Sequence, residues 1–199
     1  MKNMLAIAAL LSASTLAQAN LIVNGSFEDY SSITPGQWSI FGSGNGWTTG
    51  PQGVEIRNAI AGTAADGVRF AELDTRANSW ISQTIQTNAH QTLELSFAYA
   101  PRSGVAANSN GIEVFWNNLL LASITGNGGA AWLDHVYDVQ ADANGLGILK
   151  FAATGLSDSL GGSLDNISVT AVPEPETLAM LLTGLGILAA VKRRRKSSV

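Results

Sequence analysis

The chain has 199 residues, no cysteine, 46% hydrophobic residues and a formal net charge of −4. Between Asn20 and Ala171 the balance is more acidic: thirteen carboxylates stand against five basic residues (Arg57, Arg69, Arg76, Arg102 and Lys150), a net −8. Such a surface excludes nucleic acid, whose phosphates demand a basic face, and the lack of thiols excludes disulfides and thiolate metal sites.

The chain opens with Met1-Lys2-Asn3, a short basic start, followed by an apolar run from Met4 to Leu16 and the small residues of Ala17-Gln18-Ala19. This order predicts a signal peptide over residues 1–19, cut by signal peptidase between Ala19 and Asn20. Residues 20–171 then suffice for one domain with its own core. Strands are expected at Leu21–Val23, Val54–Arg57, Val68–Leu73 and Trp80–Ile85. In the next segment Leu93, Leu95, Phe97 and Tyr99 alternate with Thr92, Glu94, Ser96 and Ala98, the period of a half-buried strand. Gly111–Trp116 and Leu119–Thr125 flank Asn117-Asn118. Asparagine tolerates positive φ, so a two-residue hairpin is expected there. Trp132–Val139, Gly147–Ala153 and Ser163–Thr170 complete about ten short strands, separated mostly by Gly, Asn, Ser and Asp. The fold class is all-β, a single β-sandwich or jelly roll.

The last 28 residues differ in kind. Pro173-Glu174-Pro175 fixes an extended segment poor in amide donors. Residues 177–191 are uncharged and apolar, a helix of roughly 22 Å against a hydrocarbon core of ~30 Å, short but able to insert by local thinning. Lys192, Arg193, Arg194, Arg195 and Lys196 follow at once. These charges are costly to translocate and act as a stop, which places the preceding domain outside the inner membrane.

Residues 172–196 resemble the PEP-CTERM sorting signal: a Pro-Glu-Pro motif, a short membrane helix and an Arg-rich end. The resemblance implies recognition of Pro173, Glu174 and Pro175 by exosortase, removal of the tail, and delivery to the cell surface or extracellular matrix after a transient single-pass anchor. Asn20-Leu-Ile-Val-Asn-Gly-Ser-Phe-Glu28 and Gly162-Ser-Leu-Asp-Asn-Ile-Ser-Val169 resemble the opening and closing strands of carbohydrate-binding modules with a galactose-binding-like jelly roll. The stretch from Phe70-Ala-Glu-Leu-Asp74 to Asp165-Asn166 is similar to the ectodomain common among PEP-CTERM proteins.

Asp165 has the parity of Ile167 and Val169, and Glu72 that of Val68 and Phe70, so both carboxylates are expected to be buried and to need partners. The resemblance implies a structural Ca²⁺ near the first and last strands, with Glu28 and Asp165 as ligands and Glu72 as a third; turn capping or amide acceptance is the alternative. For sugar stacking, Trp38, Trp47, Trp80, Trp116 and Trp132 offer five faces. Trp116 shares parity with core positions and is expected to pack. Trp47, in Gly44-Asn-Gly-Trp-Thr48, is the first choice for a ligand-binding residue, with Trp80 and Arg102 next. Catalysis has little support, since His90 and His135 are the only histidines and neither a His-Glu-x-x-His nor a Gly-x-Ser-x-Gly motif occurs. The expected function is a non-catalytic, exosortase-sorted protein that binds exopolysaccharide. A structural protein assembling with matrix proteins is the alternative, and a glycan-active enzyme ranks last.

Overall fold

The computed structural model of the protein describes residues 19–126, 129, 131–173 and 186. Its strands are β1 (Gln37–Phe41), β2 (Thr48–Thr49), β3 (Val54–Asn58), β4 (Arg69–Glu72), β5 (Trp80–Gln86), β6 (Thr92–Ala100), β7 (Gly111–Trp116), β8 (Leu119–Thr125), β9 (Leu133–Gln140), β10 (Leu146–Thr154) and β11 (Ser163–Ala171). They form two sheets, in the orders β1-β3-β4-β11-β6-β9 and β2-β5-β10-β7-β8. All-β architecture is thus as expected. The additions are β1 and β2, which lie where the sequence reads as loop; Leu21–Val23 forms no strand.

That first segment instead runs beside β11. Leu21 N–H donates to the Val169 carbonyl at 2.8 Å, and Ile167 N–H donates to the Gly25 carbonyl at 3.1 Å. Gly25 permits the approach, because a Cβ there would stand 2.0 Å from the Ile167 oxygen. Asn20 Oδ1 accepts Val169 N–H at 3.0 Å. The two ends of the domain therefore meet, as the resemblance to a jelly roll implies.

The core lies between the sheets and comes from the alternating positions: Leu93, Leu95, Phe97 and Tyr99 of β6 pack with Ile81 and Ile85 of β5, Val114 of β7, and Leu149 and Phe151 of β10. Burying each such side chain contributes about 1.5–3 kcal/mol. Asn117 and Asn118, at φ 50° and 66°, make the expected hairpin between β7 and β8.

One irregularity positions the site. The register of β11 against β6 shifts between Asp165 and Ser168, with Asn166 at φ 49°. An extra residue inverts the alternation: Leu164, Ile167 and Val169 all enter the core, while Asp165, opposite Ala98, turns to the outer face of the six-stranded sheet. Parity alone assigned Asp165 to the same face as Ile167 and Val169, and the bulge corrects that.

The apolar start of the chain, Glu174 and Pro175, the 177–191 span apart from Gly186, and Lys192 to Lys196 lie outside the described residues. Ala19 and Asn20, the expected cleavage pair, are exposed at the start of the described domain. No helix among the described residues is long and apolar enough to cross a membrane.

Candidate functional site

The outer face of the six-stranded sheet carries a second, polar layer. Register places Ile40 opposite Glu55, Glu55 opposite Glu72, and Glu72 opposite Ser163, a row crossing β1, β3, β4 and β11. The neighbouring row sets Trp38 opposite Arg57 and Arg57 opposite Phe70. Inward-facing Val54, Ile56 and Ala71 anchor these strands in the core, so their intervening residues must point outward.

Above β1 and β3 this layer opens as a cleft of about 560 Å³, with Trp38, Ile40, Glu55 and Arg57 from the strands. Ile60 and Ala61 of the β3–β4 connection, Thr75 and Arg76 after β4, Arg102 after β6, and Ser159 complete its wall. Loop contacts hold that wall. Asp74 Oδ2 accepts the Asp158 and Ser159 amides at 2.9 and 3.0 Å. Arg102 Nη1 donates to the Ser159 carbonyl at 3.2 Å, and the Arg102 amide donates to Asn110 Oδ1 at 2.7 Å.

At the floor, Arg57 Nε donates to Glu55 Oε1 at 2.6 Å and Nη2 donates to Glu72 Oε2. Among the described residues Arg57 Nη1 is buried without a partner. Glu72 Oε1 accepts the Gly161 amide at 2.8 Å. Burial pushes the Glu72 carboxyl up to about 8; Arg57, the Gly161 amide and Arg102 pull against that, and Glu55 adds to it. Burial also lowers the Arg102 guanidinium, with Arg57 acting in the same direction.

The structure separates the residues singled out from the sequence. Arg102 lines the cleft, but Trp47 does not: it is 2% exposed, stacks on Phe27 with ring centroids 5.9 Å apart, and donates from Nε1 to the Asn24 carbonyl at 3.0 Å. Its glycine-rich setting is a tight turn, closed by paired Gly44–Trp47 hydrogen bonds that tuck the indole inward. Trp80 is half-buried on the five-stranded sheet, away from the cleft. Trp116 packs as expected, with Nε1 donating to the Gln140 carbonyl at 2.7 Å. The indole that reaches the cleft is Trp38, 52% exposed. Sequence reasoning counted Trp38 among five aromatic faces without preferring it. The usable signal was Trp38-Ser-Ile40, whose spacing puts both side chains on one face of a strand.

The three carboxylates expected to hold calcium are otherwise engaged. Glu28 Oε1 accepts the Val68 and Arg69 amides at 2.7 and 2.8 Å, and its Oε2 pairs with Arg69 at 2.7 Å. Asp165 Oδ2 accepts the Ala65 and Asp66 amides at 2.8 and 3.0 Å, and Oδ1 accepts the Asn166 amide at 2.7 Å. Glu72 faces Arg57. Donors and a guanidinium surround these oxygens, which does not fit a calcium site. Among the described residues no group of three His, Cys, Asp or Glu side chains converges to hold a metal.

Residues 171–196 match the family model of the PEP-CTERM protein-sorting motif. The chain is 34% identical over 162 residues, 79% of its length, to a multifunctional-autoprocessing repeats-in-toxin protein of Vibrio cholerae serotype O1. It is 33% identical over 153 residues, 74% of its length, to the protein of the same name from Vibrio vulnificus. The chain spans 3% of the length of each of these curated relatives. Among solved structures it is similar to TmCBM61 in complex with β-1,4-galactotriose, with 14% identity, 77% of this chain and 99% of that chain covered, and a TM-score of 0.49. The CBM22-1 xylan-binding domain of Xyn10C from Paenibacillus barcinonensis gives 15% identity, 79% and 97% coverage, and a TM-score of 0.48. A family 35 carbohydrate-binding module from Clostridium thermocellum gives 15%, 68% and 99%, and 0.46. The chain carries, behind an all-β domain, the PEP-CTERM protein-sorting motif at residues 171–196.

Proposed function

We propose that this is an exported protein, sorted by exosortase through its PEP-CTERM tail, whose β-domain binds polysaccharide of the cell surface or matrix without chemically altering it. The observation that carries the reading is the exposed Trp38 ring beside a cleft of charged and hydroxyl side chains. An indole face stacks on a pyranose ring, and the flanking polar groups serve its hydroxyls. Beneath the cleft lining, burial raises the Glu72 carboxyl to about 8. It is fully buried behind Arg57, with both oxygens accepting hydrogen bonds, so it does not reach a bound sugar. The test is binding of the producer's exopolysaccharide to the full chain in mild detergent, with and without Trp38→Ala. Saturable binding lost in the variant supports the reading. Binding unaffected by the variant, or release of reducing ends, overturns it.

A second reading, assembly through protein contacts, is favoured by another observation. The edge strand β8 has no charge or proline and carries Leu119 at 75% exposure beside Leu120. Such an edge is a template for strand pairing, and a second copy of β8 run antiparallel would satisfy both edges at once. Sedimentation of wild type and Leu120→Lys checks this: a dimer dispersed by the lysine supports it, and a monomer in both overturns it.

A further inference from the structure

The five basic residues between Asn20 and Ala171 are not spread evenly. Arg57, Arg76 and Arg102 all line the one cleft that Trp38 borders. The other two are occupied elsewhere: Arg69 is paired with Glu28, and Lys150 lies over the Phe115 ring at 4.3 Å. In a domain of net −8, this puts most of the positive charge on one small concave surface.

The opposing charge inside the cleft is smaller than the composition suggests. Glu55 is engaged by Arg57. Glu72 lies beneath the lining, engaged by Arg57 and 3.9 Å from Arg102 Nη1, and burial raises its carboxyl to about 8. Asp158, beside Arg102, is tied to Ser109 at 2.8 Å and to the Leu160 amide at 3.2 Å. Arg76 is exposed and makes no ion pair among the described residues. Arg57 Nη1, at the floor, is a buried donor with no acceptor among the described residues. Buried donors in native structures are rarely left unpaired. Here an unmet donor and an unpaired guanidinium belong to one cavity.

We propose that the cleft selects an anionic polysaccharide, with Trp38 stacked on a sugar ring and Arg76 and Arg102 pairing with the acidic substituent of that ring or its neighbour. The inference rests on the polysaccharide-binding reading above and specifies its ligand class. A planar guanidinium fork matches a carboxylate bidentately and also accepts a sulfate, so both kinds of acidic glycan share the required chemistry. The net negative charge elsewhere does not prevent this. At physiological ionic strength charges beyond about 8 Å are largely screened, and the local guanidinium groups dominate at contact.

The experiment titrates the full chain in mild detergent with three probes: an oligogalacturonate, a sulfated galacto-oligosaccharide and a neutral galacto-oligosaccharide of equal length. Expected is an acidic probe bound at least about tenfold more tightly than the neutral one, with affinity falling as salt rises. Arg76→Ala, at an exposed unpaired side chain, should remove that preference without changing the melting temperature. Tighter binding of either acidic probe upholds the proposal, and the stronger of the two identifies the group. Equal binding of all three, lost in Trp38→Ala, overturns the anionic preference but leaves polysaccharide binding standing. No binding of any of these probes or of the native exopolysaccharide overturns both.

Discussion

Glu55 and Glu72 stand directly opposite each other across β3 and β4, and the single Arg57 guanidinium donates to both. Arg57 is shared between the two carboxylates, and Arg102 Nη1 lies 3.9 Å from Glu72 Oε2. Burial, with a smaller contribution from the Glu55 charge, pushes the Glu72 carboxyl up to about 8. The arrangement fixes the cleft floor, and it makes the domain's stability depend on pH in an uncommon direction.

The sign follows from proton counting. Burial raises Glu72 from 4.5 to about 8 and Asp165 from 3.8 to about 7, the latter against the amides of Asp66, Asn166 and Ala65. Between the unfolded and folded values the native state holds protons that the unfolded chain has released, so stability falls as pH rises. Every tenfold gain in a carboxyl's proton affinity on folding is worth about 1.4 kcal/mol. The melting temperature should be higher at pH 5 than at pH 8, and Glu72→Gln should flatten part of that slope. A melting temperature that climbs across the same range would contradict the assignment.

Removing the shared cation should be costly. Arg57→Leu leaves two buried carboxyls facing each other, and breaking such a buried pair destabilises by about 3–5 kcal/mol. Denaturant unfolding measures the loss. The triple variant Arg57→Leu, Glu55→Gln, Glu72→Gln should recover much of it, because no buried carboxyl is then left without its guanidinium partner. Failure to recover would mean that Arg57 acts mainly through packing.

Two tryptophans separate stability from binding. Trp47→Ala empties a buried site against Phe27 and should cost about 3–5 kcal/mol in chemical unfolding. Trp38→Ala alters an exposed ring and should change stability by less than about 1 kcal/mol. It should also abolish glycan binding. Similar stability losses in both variants would place Trp38 in the packing, not in a site.

The tail can be tested in the producing cell. Replacing Pro173 and Pro175 with alanine should leave an uncut protein in the inner-membrane fraction, seen by fractionation and intact mass. Normal delivery with a trimmed tail would exclude these prolines as the recognition element.

Local pattern in the sequence determined the sorting tail, whose proline motif and basic cluster are contiguous, and the all-β domain, whose alternating core positions and Asn117-Asn118 turn need only short-range chemistry. It also placed Trp116 in the core. Tertiary structure decided the site. A bulge at Asp165–Ser168, which no alternation count reveals, sent Asp165 to the outer face. Most partners of Glu28 and Asp165 are backbone amides distant in sequence, and amides carry no residue signature. The cleft joins β1, β3 and the segments after β4 and β6 with Ser159. Only sheet register, which sets Trp38 opposite Arg57 and Glu55 opposite Glu72, turned those scattered residues into one surface.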